Sequence, residues 1–395
     1  MRNRIIIFIL SLILIMSVSV VQAQKSGKVT YYKGVTTYSG KPDTVLTFDV
    51  SGVKRPASVE SFNPLFHFDP IRQDTTGTCW AFASISFLES ELFRLGKGKV
   101  DLSEIYVAYF EYIEKARRFV QKKGDSGFMQ GSEENATLNR IKQYGIVRQQ
   151  DYTGKLEGQL YHDHDDMFDE MNAYLEFIKE REMWDEDIAL SQIRMILNSY
   201  LGEPPTTIVV NGEKMTPQEY AMNVLEIPLD DYVDFMSFKY APFYEQGEYK
   251  VRDNWWHSDV YHNVPLKVWY AAIVNALNKG YTVAIGGDVS EIGKQGEEDI
   301  AIIPSFDIPF KLIDQDAREF RFDNETSADD HALHVVGYQR YAGHDWFLIK
   351  DSGYSATKGK FKGYYFYRDD YVKLKMLTFM VHKDAVKEVL EKFNK

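Results

Sequence analysis

One cysteine occurs in this 395-residue chain, Cys79, in the run Gln73-Asp74-Thr75-Thr76-Gly77-Thr78-Cys79-Trp80-Ala81-Phe82-Ala83-Ser84. A lone cysteine rules out an internal disulfide, so burial, metal binding or reactivity must account for it. An unpaired cysteine is ordinarily a small buried hydrophobe, but the surroundings favour reactivity. Gly77 and the hydroxyl residues beside it make a flexible turn, and Trp80 to Leu92 continues with apolar residues at helical spacing. Cys79 therefore falls in the first turn of a predicted helix, where unpaired N–H groups and the positive dipole end favour a thiolate. A thiol nucleophile needs a base, and the base needs a group that fixes its tautomer. The run Asp329-Asp330-His331-Ala332-Leu333-His334-Val335-Val336 offers two imidazoles at the start of an apolar strand. On a strand, His331, Leu333 and Val335 share one face and His334 lies on the other, so both rings cannot reach one cleft. A second hydrophobic strand, from Asp345, ends in a polar turn that holds Asp351.

The segment around Cys79 resembles the nucleophile segment of papain-like cysteine peptidases, C-G-[SA]-C-[WY]; here it reads Thr76-Gly77-Thr78-Cys79-Trp80. The resemblance implies that Cys79 is the catalytic nucleophile. Thr76 stands where the family has a disulfide cysteine, in keeping with a chain that has no second thiol. Gln73 matches the family's oxyanion-hole glutamine, which implies that its amide and the Cys79 N–H hold a tetrahedral oxyanion. Asp101-Leu102-Ser103-Glu104 is similar to the family's Leu-Ser-Glu segment at the start of the next helix. The Asp-His-Ala…Val-Gly-Tyr pattern at 330–338 implies that His331 is the base, leaving His334 as a satisfied histidine within a barrel. Ile349-Lys350-Asp351-Ser352-Gly353 is similar to Ile-Lys-Asn-Ser-Trp, so Asp351 takes the place of the asparagine that orients the histidine, and Gly353 that of a tryptophan. An aspartate accepts an imidazole N–H as an amide does, and its charge favours the imidazolium. The missing tryptophan is expected to leave that hydrogen bond less shielded from water. The implied chemistry is acyl transfer through a Cys79 thioester.

From Cys79 to His331 is 252 residues, against roughly 130–150 in the papain pattern, so roughly a hundred residues are inserted. Tyr144-Gly145-Ile146-Val147 and Asp151-Tyr152 still resemble the family, and its core resumes at Gly280. Within the insertion, Met171 to Ile178 has helical spacing, Asn211-Gly212 reads as a hairpin turn, and Thr216-Pro217-Gln218-Glu219 as a capping box. This layout resembles the bleomycin hydrolase and bacterial aminopeptidase C branch, in which a C-terminal arm lies in the cleft and receives the substrate's free amine. The residues from Lys383 onward read as partly helical, which would keep them out of a cleft. The expected architecture is α+β and papain-like with two lobes. A leader at 1–23 precedes an extension at 24–64. A helical left lobe at 65–152 is followed by a mainly helical insertion at 153–279, set on that lobe. A β-barrel right lobe at 280–388 carries His331 and Asp351, and a tail occupies 389–395.

Arg2 and Arg4 precede an apolar run from Ile5 to Val21 that ends in Val21-Gln22-Ala23. This is the pattern of a secretory signal, with an uncleaved anchor as the second reading. It implies a bacterial periplasmic or secreted protein with no membrane attachment once the signal is removed. No cysteine follows the run, which excludes a lipid anchor. Only 55 residues separate Ala23 from Cys79, too few for a papain-type inhibitory prodomain. The net charge is −12, and −14 without Arg2 and Arg4, which argues against nucleic acid as a partner and leaves peptide substrates. A homo-oligomer is left open. Lys115 to Lys123 reads as a solvated basic face, and Trp255-Trp256 as core packing. His162-Asp163-His164-Asp165-Asp166 has metal-binding residue types but no spaced second cluster, so no metal and no cofactor are expected. The expected activity is that of a cysteine peptidase acting as an aminopeptidase. The alternatives are endopeptidase activity, acyl transfer to an amine, and a catalytically silent binding protein that kept the fold.

Overall fold

The computed structural model describes residues 29–35 and 42–393. The expected leader at 1–23 and the last two residues of the tail lie outside them. In chain order the elements begin with strands β1 (Val29–Val35) and β2 (Pro42–Phe48). Helices α1 (Cys79–Arg94), α2 (Glu104–Gln121), α3 (Glu134–Tyr144), α4 (Asp165–Glu180) and α5 (Glu186–Leu201) follow. Strands β3 (Ile208–Val210), β4 (Glu213–Met215), β5 (Tyr232–Met236), β6 (Glu245–Gly247) and β7 (Tyr261–Asn263) lead to helix α6 (Leu266–Asn278). The chain then runs through β8 (Val283–Gly287), β9 (Lys294–Gln295), β10 (Ile300–Ala301), β11 (His331–Tyr341), β12 (His344–Lys350), β13 (Tyr364–Arg368) and β14 (Met376–His382). No helix among the described residues is long and apolar enough to cross a membrane.

Helix α1 is buried on nearly every side from Trp80 to Leu92, as a helix that is apolar all round must be. It packs against α2 and α3 on one side and against β8 and β11 on the other. Ser103 caps α2 by accepting the Tyr106 N–H, and Asp185 caps α5 by accepting that of Ile188. Met171, Leu175 and Ile178 of α4 and Ile193 and Leu197 of α5 join the core of the helical lobe. The hairpin β3–β4 turns at Asn211 (φ 52°) and Gly212 (φ 85°), and both halves of the Thr216–Glu219 capping box form.

The rest of the expected helical insertion belongs elsewhere. Strands β5, β6 and β7 extend the sheet of the other lobe, and α6 sends Trp269 and Ile273 into that lobe's core. The sheet has ten strands in the order β6-β7-β5-β14-β8-β11-β12-β13-β10-β9. It is an open sheet, and no closed barrel is found among the described residues. Its end strands β6 and β9 are three and two residues long, too short to carry a ladder across the gap.

The two lobes meet along α1. Ser86 of α1 takes a hydrogen bond from Lys350 of β12 at 2.8 Å and contacts His334 Nδ1 at 2.9 Å. Both partners are buried, as are Glu89 and Glu104 from the helical side. Burial pushes the Glu104 carboxyl up to about 7, against the pull of the Lys350 charge. The native state therefore holds a proton that the unfolded chain has already released above pH 4.5. Stability must fall as pH rises from 4.5 to about 7 on account of this group. Glu104→Gln should flatten that slope by on the order of 2 kcal/mol across the window, as measured by urea unfolding. An unchanged slope would mean that Glu104 is ionised in the fold.

Candidate active site

The loop leading to Cys79 is held from both sides. Cys79 is the first residue of α1 and is partly exposed, and its N–H, like those of any helical first turn, has no carbonyl within the helix to meet. Gln130 Oε1 accepts the Gly77 N–H at 2.6 Å, and the Trp80 indole donates to the Gln130 carbonyl at 3.1 Å. A Cβ at position 77 would sit 2.8 Å from Gln130 Cβ, so this approach needs glycine. Gln73 is buried. Its Nε2 donates to the Thr76 carbonyl at 2.6 Å, and its Oε1 accepts the Ser352 hydroxyl at 2.7 Å. A primary amide has two N–H donors, and the Thr76 carbonyl engages one of them. Ser352 follows Asp351 directly, so one hydroxyl ties Gln73 to the opposite lobe.

His331 opens β11 and reaches both partners expected of it. Its Nε2 lies 2.8 Å from Asp351 Oδ1, and the Cys79 side chain is near enough to act on the charge of the ring. Burial works against the charged ring, but the Asp351 charge, then the Cys79 charge, and the hydrogen bonds to both outweigh it and raise the pKa to about 10. Asp351 is buried, a penalty overcome first by Lys294 and then by His331, so its carboxyl lies well below the usual range. The exposure expected from the missing tryptophan does not occur. The Asp351 side chain is 0% exposed and that of His331 9%. Gly353 covers the pair instead: its N–H donates to Asp351 Oδ1 at 2.7 Å, and a Cβ there would lie 3.0 Å from that oxygen and 3.4 Å from His331 Nε2.

His334 faces α1 at the lobe interface rather than sitting within a barrel, and it is only half satisfied. Ser86 meets its Nδ1, whereas its Nε2 has no hydrogen-bond partner among the described residues. That ring borders a cavity of about 10 Å³ lined by Phe82, Ser86, Glu104 and Lys350.

Four features escaped the sequence reading. The His162–His164 loop lies parallel to Thr75, with hydrogen bonds from Thr75 N–H to the His162 carbonyl and from His164 N–H to the Thr75 carbonyl, both 3.1 Å. Asp74, at a left-handed φ of 57°, accepts the His162 N–H at 3.1 Å. The loop thus braces the strand leading to Cys79. Burial lowers both imidazoles, to about 4 and about 3, and no metal-binding group of three ligands exists among the described residues. Lys115 is not on a solvated face. It is buried, and its ammonium donates to the carbonyls of Met129 and Gly131, on either side of Gln130. Trp255 is half-buried and donates to Glu111 at 2.6 Å. Lys294 stands behind Asp351. None of these positions carries a local motif.

The described end of the chain stays away from Cys79. After a short helix, Lys387–Leu390, Phe393 packs on His262 at 4.7 Å and Tyr244 at 6.0 Å. That edge of the sheet is separated from β11 by β5, β14 and β8.

No family model and no curated protein matches the sequence. Among solved structures, the chain is similar to PepW from Lactobacillus rhamnosis, at TM-score 0.68 and 18% identity over 84% of this chain and 83% of that one. The chain has the papain-like cysteine peptidase fold. Weaker likenesses are to a structure of the mite allergens Blo t 1 and Der p 1 (TM-score 0.40, 12% identity, 80% of this chain and 66% of that one) and to digestive procathepsin L 3 of the Tenebrio molitor larval midgut (TM-score 0.35, 13% identity, 82% and 70%). The papain-like fold accounts for the cleft contact between α1 and β11, where one lobe supplies sulfur and the other imidazole.

The ring titration can be read directly. In histidine-labelled protein, the His331 resonances should titrate near pH 10. Cys79→Ala should lower that midpoint by about one pH unit or more, because it removes an adjacent negative charge and a hydrogen bond. A midpoint that does not move would mean that thiol and ring are not in contact.

Proposed function

We propose that the protein is a cysteine peptidase that hydrolyses peptide bonds through a Cys79 acyl-enzyme. The observation that carries this reading is the position of His331, bonded at once to the Cys79 thiol and the Asp351 carboxylate. In the proposed reaction the Cys79 thiolate adds to the scissile carbonyl carbon, and the carbonyl oxygen takes up the negative charge. The Cys79 N–H and the second N–H of the Gln73 amide are the donors for that oxyanion. The C–N bond then breaks as His331 Nδ1 gives its proton to the leaving amine. Water next loses a proton to His331 and adds to the thioester, which releases the carboxylic acid and restores the thiolate. Acylation consumes the thiolate charge, so the ring loses one of the two charges that hold its pKa up. The same imidazole is therefore more easily neutral when it must act as a base.

The finer reading is an aminopeptidase, and charge supports it. Asp329, two residues before His331, is half-buried and hydrogen-bonded to buried Glu133. Burial first, then the charges of Asp329, Glu134 and Asp253, push the Glu133 carboxyl upward, and burial first, then Asp253 and Glu134, push that of Asp329 upward. Glu133 Oε1 has no hydrogen-bond partner among the described residues. A substrate ammonium placed against Asp329 would relieve that repulsion, and a blocked terminus would not. Secretion to a bacterial periplasm or beyond remains part of the proposal, on the strength of the N-terminal sequence.

Two measurements test these levels. Gln73→Ala should lower kcat by about 10²-fold or more with little change in KM, since the lost bond forms mainly in the transition state. Fluorogenic peptides with free amino termini should be cleaved faster than blocked ones, and Glu133→Gln should narrow the difference through KM. Equal turnover of free and blocked peptides would favour the endopeptidase alternative. No turnover of either would leave the fold as a binding module.

A further inference from the structure

Asp351 has a second charged partner. Its Oδ1 meets His331 at 2.8 Å, while its Oδ2 takes Lys294 Nζ at 2.9 Å. The Lys294 side chain is 5% exposed, lies over the Tyr365 ring at 4.5 Å and reaches Ser355 Oγ at 3.5 Å. A buried ammonium is expensive unless its charge is matched, and here the only carboxylate bonded to it, among the described residues, is the one that orients the imidazole. The backbone around it is built for this approach. A Cβ at Gly293 would lie 2.0 Å from the Ile302 carbonyl oxygen, and one at Gly296 would lie 2.5 Å from that of Ser355. Only glycines let β9 lie this close to its neighbours on either side of Lys294.

We propose that Lys294 is a positioning residue that makes the Asp351 carboxylate behave electrically like a neutral acceptor. The carboxylate still holds the ring by its Nε2 proton, but Lys294 cancels part of the charge the ring would otherwise feel. A lone buried carboxylate would hold the imidazolium proton too firmly for a ring that must give it to a leaving amine. The other groups around the pair do not supply this cancellation. Cys79 on α1 adds negative charge to the ring. Tyr365 and Tyr367 on β13 are held protonated by burial, and Asp330 is engaged by the N–H groups of Val289 and Ser290. This inference rests on the proposed Cys79–His331 pair, but its readout does not require hydrolysis.

The test is the NMR titration of the His331 ring in four proteins: wild type, Lys294→Met, Asp351→Asn and the double variant. Lys294→Met should raise the ring pKa by about one pH unit, because an unscreened carboxylate then faces the ring. Asp351→Asn should lower it, leaving a bare cation behind the ring, and the double variant should fall between Asp351→Asn and wild type. A Lys294→Met titration at or below the wild-type midpoint would overturn the proposal. Should that variant fail to fold, the comparison between Asp351→Asn and the double variant decides: removal of Lys294 must raise the pKa there too, and equal midpoints overturn it. If the titrations follow this order while no peptide is cleaved, the peptidase reading fails and the role of Lys294 stands.

Discussion

One imidazole has to be in contact with two lobes at once. His331 belongs to the sheet, its sulfur partner to a helix of the other lobe, and its carboxylate partner to the turn after β12. A shift of one lobe against the other by about an ångström would separate the ring from the sulfur, and reacting groups tolerate little misplacement. The interface is accordingly not a plain apolar seam. Lys350 and Ser352, on either side of Asp351, bond to Ser86 and Gln73 across the cleft. The residues that flank Asp351 thus also fix the lobe that carries Cys79 and Gln73. Position and chemistry are specified by the same three consecutive side chains.

The parts legible in the sequence are those whose geometry is local. A glycine turn, a cysteine and an apolar-periodic helix are contiguous, so the start of α1 could be placed from residues 73–92. His331 and Asp351 each open or close a hydrophobic strand, and the structure pairs them, with the ring beside Cys79. The parts that were not legible depend on pairing at long range. Nothing in Gly293-Lys294-Gln295-Gly296 announces a partner 57 residues on. The His162–His164 loop has the composition of a metal site and the job of a strut, because its backbone, not its side chains, grips Thr75 and Asp74. Lys115 sits in a basic run and is buried, since one ammonium can satisfy two loop carbonyls on either side of Gln130. Strands β5, β6 and β7 are five residues or shorter, and runs that short cannot be told from loops by alternation alone.

The two departures from the family's orienting turn are one structural solution. Asp351 Oδ1 accepts from His331 and from the Gly353 N–H, and Oδ2 accepts from Lys294. Three donors on one buried carboxylate keep it ionised without water. A Cβ at residue 353 would lie 3.0 Å from Oδ1, tighter than ordinary contact, and 3.4 Å from the ring. A large indole on residue 353 would therefore have to leave along another direction or displace the bond. With an asparagine at 351, the lysine would be an unmatched buried cation. With a tryptophan at 353, the third donor would be harder to seat. Aspartate, glycine and lysine make a consistent set, and a change to any one of them alone leaves a charge or a hydrogen-bonding group in this dry corner without its counterpart.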